Sequence, residues 1–153
     1  MSDEVERFIA VARAFCSLLE SATELELRDL RARLLVALPE LYLAGLALPL
    51  PETDVEAESV SLKLDLLVGL AQHLGEHDAY WVVFDPTQRE APIQGSLAQD
   101  LSEIRFDLQQ GLVALDQGAL LEAVVWEWRF GLDSHWGNHL VDAFRAIHHQ
   151  RGW

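Results

Sequence analysis

Four of the six histidines stand in two pairs, His73 with His77 and His135 with His139. A four-residue spacing puts both imidazoles of a pair on one helix face, the way metal-binding helices present them. Such a centre needs three or four ligands, and carboxylates stand in a row at Asp100, Glu103 and Asp107, on one side of a predicted helix. Spacing alone does not bring the row and either pair together. His135 and His139 fall near the azimuth of Leu121 and Trp128, at the edge of the core, where a partly buried imidazole needs a partner. Asp133, Asp142 and Glu127 are candidate partners by sequence. His73 and His77 follow a polar strip with Asp65, Gly69, Gln72 and Glu76, and read as surface residues.

A second group alternates aromatic and charged residues, Trp126-Glu127-Trp128-Arg129-Phe130. On a helix it points aromatics to two sides. With Tyr80, Trp81 and Trp136 it has the composition of a pocket or an interface, where Trp, Tyr and Arg are favoured. Cys16 lies in an apolar stripe and reads as core. Phosphate-binding glycine loops, paired cysteines, nucleophile elbows and His-Glu-x-x-His are absent from the sequence, and no cofactor motif is present.

The elements that must position these residues follow from periodicity. Val5, Phe8, Ala12, Phe15, Cys16 and Leu19 predict a helix over 3–20. Thr23 with Glu26 has capping-box spacing and opens a second helix with the stripe Leu27, Leu30, Leu34, Leu38 and Leu41. Pro39 breaks its hydrogen-bond ladder, but the stripe continues in phase, which favours a kink over a stop. Residues 49–60 read as an acidic loop and about 61–75 as a third helix. Tyr80-Trp81-Val82-Val83-Phe84, with Asp85-Pro86 and Pro92 after it, predicts a short extended or hairpin-like insert at 80–95. Ser96 with Gln99 caps a fourth helix to about Asp116, ended by Gly118. The last third is one kinked helix or two, with the phase break expected between Phe130 and Ser134, at Gly131 and Asp133. Its first piece, apolar on two sides, is expected to be the central helix. The fold class is all-α, a compact bundle of five to six helices in a single domain spanning 1–153.

The segments Tyr80-Trp81, Phe84-Asp85-Pro86, Gly95-Ser96-Leu97-Ala98, Trp126-Glu127-Trp128-Arg129-Phe130 and Ser134-His135-Trp136-Gly137-x-His139 resemble a family of small bacterial proteins, the domain of unknown function numbered 5063. The likeness covers most of the chain, from the first helix to about His148. It implies a helical bacterial protein and transfers no catalytic residue. It marks Tyr80, Trp81, Asp85, Arg129, His135 and His139 as positions of interest.

The formal net charge is −14, from 25 acidic and 11 basic residues. That argues against nucleic acid and anionic membrane as partners, since both need a basic footprint. One cysteine, an acidic N-terminus and the lack of a long apolar run predict a cytoplasmic protein. The expected function is a non-enzymatic interaction module, an adaptor, inhibitor or immunity-like protein. It would dock a basic protein partner through the acidic face Asp100, Glu103 and Asp107. The alternative is a small-ligand or metal-binding protein, extending to a hydrolase. There His135 and His139 hold the ion or ligand, Arg129 meets an anionic group, and Trp81 and Trp136 wall the pocket. The sequence leaves the oligomeric state open.

Overall fold

A computed structural model of the chain describes residues 1–50, 52, 59 and 66–153. Among these, six α-helices and one β-hairpin account for the regular structure beyond two short 3₁₀ turns. Helix α1 (Asp3–Glu20) begins at Ser2, whose Oγ accepts from the Val5 amide, and carries Asp3, Glu4 and Glu6 in its first turn. Both features oppose the helix's unpaired N-terminal amides and dipole. Its predicted stripe is the buried face.

Helix α2 (Leu27–Leu46) runs unbroken through Pro39 and buries Leu30, Leu34, Leu38, Leu41, Ala44 and Gly45. The stripe outweighs the lost hydrogen bond, because each buried leucine contributes about 1.5–3 kcal/mol. The expected Thr23 cap is not formed. Residues Ala22–Glu24 make a 3₁₀ turn instead, and α2 starts after Glu26 with no side-chain cap. Most of the acidic loop at 49–60, and the beginning of the third helix, lie outside the described residues. The described part of that helix, α3 (Leu66–Leu74), buries Leu70 and Leu74 and ends at Gly75, whose φ of +56° stops it.

The insert is an antiparallel hairpin, β1 (Ala79–Val82) with β2 (Ile93–Ser96), registered as Tyr80 opposite Gly95 and Trp81 opposite Gln94. Ser96 caps α4 (Leu97–Asp116), accepting from the Gln99 amide at 3.1 Å. Asp78 reinforces this start by accepting from the Ala98 amide at 2.7 Å. The last third is two helices, α5 (Leu121–Ser134) and α6 (Trp136–His149). The break falls at His135 (φ −143°, ψ −83°), a little beyond the expected Gly131–Asp133 position.

One hydrophobic cluster draws on all six helices. Phe8 meets Trp128 and Trp136 at ring distances of 4.9 and 6.1 Å in its interior. Both indoles are satisfied, Trp128 donating to the Leu108 carbonyl and Trp136 to that of Trp128. The hub of the bundle is α4, which packs against α1, α3, α5 and α6. The expectation that α5 is central is corrected. Its second apolar side is Trp126 stacked on Phe130, and Phe130 is 54% exposed. No helix among the described residues is long and apolar enough to cross a membrane.

Candidate metal centre

Helices α4 and α6 make the most extensive helix pair in the bundle. They lie antiparallel, with His139 level with Asp100 and His135 level with Asp107. On α4, Asp100, Glu103 and Asp107 project from one face because they are three and seven residues apart. On α6, His139 sits in the first turn, while His135 is the elbow residue between α5 and α6. Gly137 makes that elbow possible, since a Cβ there would run into the Leu132 carbonyl. The two imidazoles meet edge to face with ring centroids 5.0 Å apart.

Each imidazole is held by a carboxylate. His135 Nδ1 lies 2.6 Å from Asp107 Oδ2, and His139 Nδ1 lies 2.8 Å from Asp100 Oδ1. An ionised carboxylate only accepts, so Nδ1 carries a proton in both rings, and in the neutral ring the lone pair falls to Nε2. His135 Nε2 faces Glu103 Oε2 at 3.7 Å. One ligand atom each from Glu103, His135 and His139 fall within 4.8 Å of one another. Atoms sharing a tetrahedral ion stand about 3.4 Å apart, so closure asks for side-chain shifts of about 1 Å.

Asp100 is the anchor of this arrangement and is only 6% exposed. Besides His139 it accepts a short hydrogen bond from the Tyr80 hydroxyl, which reaches it from the hairpin. Gly95 allows that reach, because a Cβ on it would stand 2.5 Å from the Tyr80 ring. Burial, and then the bond to Asp100, push the Tyr80 phenol far above its ordinary range, so it stays a donor. The Asp100 hydrogen bond raises His139 against the opposing effect of burial. Burial, with the Asp100 charge next, raises Asp142 on the same helix.

Of the partners expected for the histidine pair, Asp142 acts on His139 through its charge. Asp133 bonds Arg129 at 3.1 Å, and the carboxylates that hold His135 and His139 come from α4. Accordingly, the row Asp100, Glu103 and Asp107 does not form an open acidic face. It is directed onto α6, with Asp100 buried.

The remaining candidates are dispersed. Trp81 is 71% exposed on the hairpin, and Trp136 is fully buried. Neither walls a pocket with the histidines. Asp85 shapes an exposed turn, accepting from the Thr87 amide and hydroxyl, bonds that lower its carboxyl. Trp126 and Arg129 border a small hollow of about 110 Å³ with Leu50, Phe130 and Asp133. A larger groove of about 540 Å³ adjoins the centre on the His135 and Asp107 side, walled by Phe106, Gln110, Val124 and Phe130. His73 and His77 are structural rather than free. His73 Nε2 bonds the Leu25 carbonyl at 2.8 Å, and His77 bonds Gln150 and stacks on Trp153.

Asp78, Gly95 and Gly137 were missed as positioning residues. Gly137 stands inside the Ser-His-Trp-Gly-x-His segment and Gly95 faces an aromatic across a strand pair, which are readable signals. Nothing in the sequence marks Asp78.

No curated protein matches this chain. Its fold is similar to the crystal structure of protein BF1032 from Bacteroides fragilis, a structural-genomics target. That match has a TM-score of 0.78 and 26% identity, covering 99% of this chain and 97% of that one. The resemblance drawn from the aromatic and histidine segments holds over nearly the whole length. The family model described as "Domain of unknown function (DUF5063)" matches residues 1–151, and the chain belongs to that family.

Proposed function

We propose that this protein binds a divalent transition-metal ion of the zinc class through Glu103, His135 and His139. The observation that carries the reading is the pair of carboxylate–imidazole contacts, at 2.6 and 2.8 Å, which take up both Nδ1 atoms, while one ligand atom each of Glu103, His135 and His139 lies within 4.8 Å of the others. Metal-ligating histidines are oriented in this way, and the carboxylate raises the basicity of the ring. Two nitrogens and one carboxylate oxygen suit zinc and its neighbours better than calcium or magnesium, which take oxygen ligands. Three protein ligands leave one position for water or a small ligand. An open position is the feature of a binding or hydrolytic centre rather than a closed structural one. A basic protein partner keeps only the whole-chain charge of −14 as support, because the acidic row is engaged by α6.

The test is a zinc titration of the untagged full chain by calorimetry, with metal content read by mass spectrometry. One ion per chain is expected, with binding weakened at least about tenfold in His135→Ala, His139→Ala and Glu103→Gln. A His148→Ala/His149→Ala control should bind as the parent does, since that pair lies at the far end of α6. Failure of the parent to bind zinc, or equal binding by all three site variants, would refute the reading.

A further inference from the structure

We infer that the exposed face of α2 is a self-complementary interface, and that its partner is a second copy of this chain packed antiparallel about a two-fold axis. Val36 stands at the middle of the face and Leu43 two turns along it, 66% and 61% exposed. Next to it runs a shallow groove of about 450 Å³ between α1 and α2, lined by Val11, Ala14, Leu18 and Ala32 among others. Small residues there let another helix approach closely.

Arg33 and Glu40 border the same groove. They are seven residues apart, two turns, and therefore lie on the same edge of the Val36–Leu43 face. A two-fold axis between Val36 and Ala37 sets each helix antiparallel to its copy. It keeps that edge of one helix beside the same edge of the other. Residue 33 then faces residue 40 of the copy, and residue 40 faces residue 33, which is the reciprocity an isologous contact requires. Both residues are exposed, and neither has an ion pair within the chain among the described residues. The pairing is thus charge-complementary twice over, around a centre that removes two copies of Val36 from water.

Local charge, not net charge, selects this edge. A chain of −14 repels its copies, and here each copy offers one cation, Arg33, and one anion, Glu40.

The experiment is sedimentation velocity on the full chain over a micromolar-to-millimolar series, with circular dichroism verifying the fold of each variant. The parent should form a dimer that Val36→Glu abolishes. Arg33→Glu and Glu40→Arg should each weaken it about tenfold or more, as two attractive pairs become two repulsive ones. The double reversal, Arg33→Glu with Glu40→Arg, should restore it. A parent monomeric across the series overturns the inference, and so does a dimer unaffected by Val36→Glu or a double reversal no tighter than the singles.

Discussion

At the residue scale the centre depends on Asp100, a buried carboxylate between a phenol and an imidazole. Removing one partner of a buried acceptor costs about 1–3 kcal/mol, so Tyr80→Phe should lower stability by that amount in a denaturant melt. Gly95→Ala should act in the same direction, because the new methyl displaces the Tyr80 ring. Asp100→Asn removes the carboxylate that orients His139, and zinc affinity should fall about 10–100-fold in a titration. His139 adds a pH dependence whose sign is fixed. Its folded value is raised from 6.5, chiefly by Asp100. Its contribution is therefore fully present below 6.5 and is lost as pH rises through the folded value. Metal-free protein should melt at lower temperature as pH climbs past neutral, and His139→Gln should flatten that slope. Zinc affinity should move the opposite way over the same range, since the ion competes with the proton for Nε2. A melting curve for metal-free protein that rises with pH would contradict this account of His139.

At the element scale the decisive feature is the elbow between α5 and α6, which turns the chain so that His135 and His139 face α4. Gly137→Ala forces a Cβ into the Leu132 carbonyl. The expected cost is about 1–3 kcal/mol or more, accompanied by loss of zinc binding, because the elbow and the ligands move together. Ser134→Ala next to it changes a hydroxyl that only caps the Phe130 carbonyl and should be far milder. Near-parental urea stability for Gly137→Ala would show that the elbow tolerates a side chain. The elements themselves were legible in the sequence. Stripes such as Phe8, Phe15 and Leu19 fix a helix face by spacing alone, and the Ser96 cap and Gly118 stop mark the ends of α4. The failures have physical causes. Thr23 lost to a 3₁₀ turn because a capping pattern does not fix local backbone, and α5 keeps one side exposed, where Trp126 and Phe130 stack on each other. The centre was half legible. The histidine pair and the acidic row were each visible from spacing, but their juxtaposition depends on which helices pack. A one-dimensional pattern carries no such information, so the same carboxylates read both as available ligands and as a docking face.

At the scale of the whole molecule the core is one cluster shared by all six helices, and the candidate centre lies where the two most closely packed of them meet. An ion held there would tie α4 to α6 across a large separation in sequence. Nothing comparable exists in the unfolded chain, so binding energy becomes folding energy. At a free zinc concentration about 100 times the dissociation constant, the native state gains about 2.7 kcal/mol. For a chain of this length each kcal/mol moves the melting temperature by roughly 2–4 °C, so zinc should raise it by roughly 5–10 °C. Glu103→Gln should remove most of that gain while leaving the metal-free melting temperature near the parent's. Glu103 is the most exposed of the three α4 carboxylates, and glutamine keeps its size. A zinc-induced shift that persists in Glu103→Gln and His139→Ala alike would place the ion elsewhere on the surface. Cys16 supplies an independent reporter of the same gain. Burial pushes its thiol up to about 11, and it is 6% exposed within α1, far in sequence from every proposed ligand. A thiol reagent should therefore reach it only when the core opens, and saturating zinc should slow labelling by about the factor that 2.7 kcal/mol implies, roughly 100-fold. Labelling that zinc leaves unchanged would mean that α1 opens without α4 and α6, and that the six helices do not unfold as one unit.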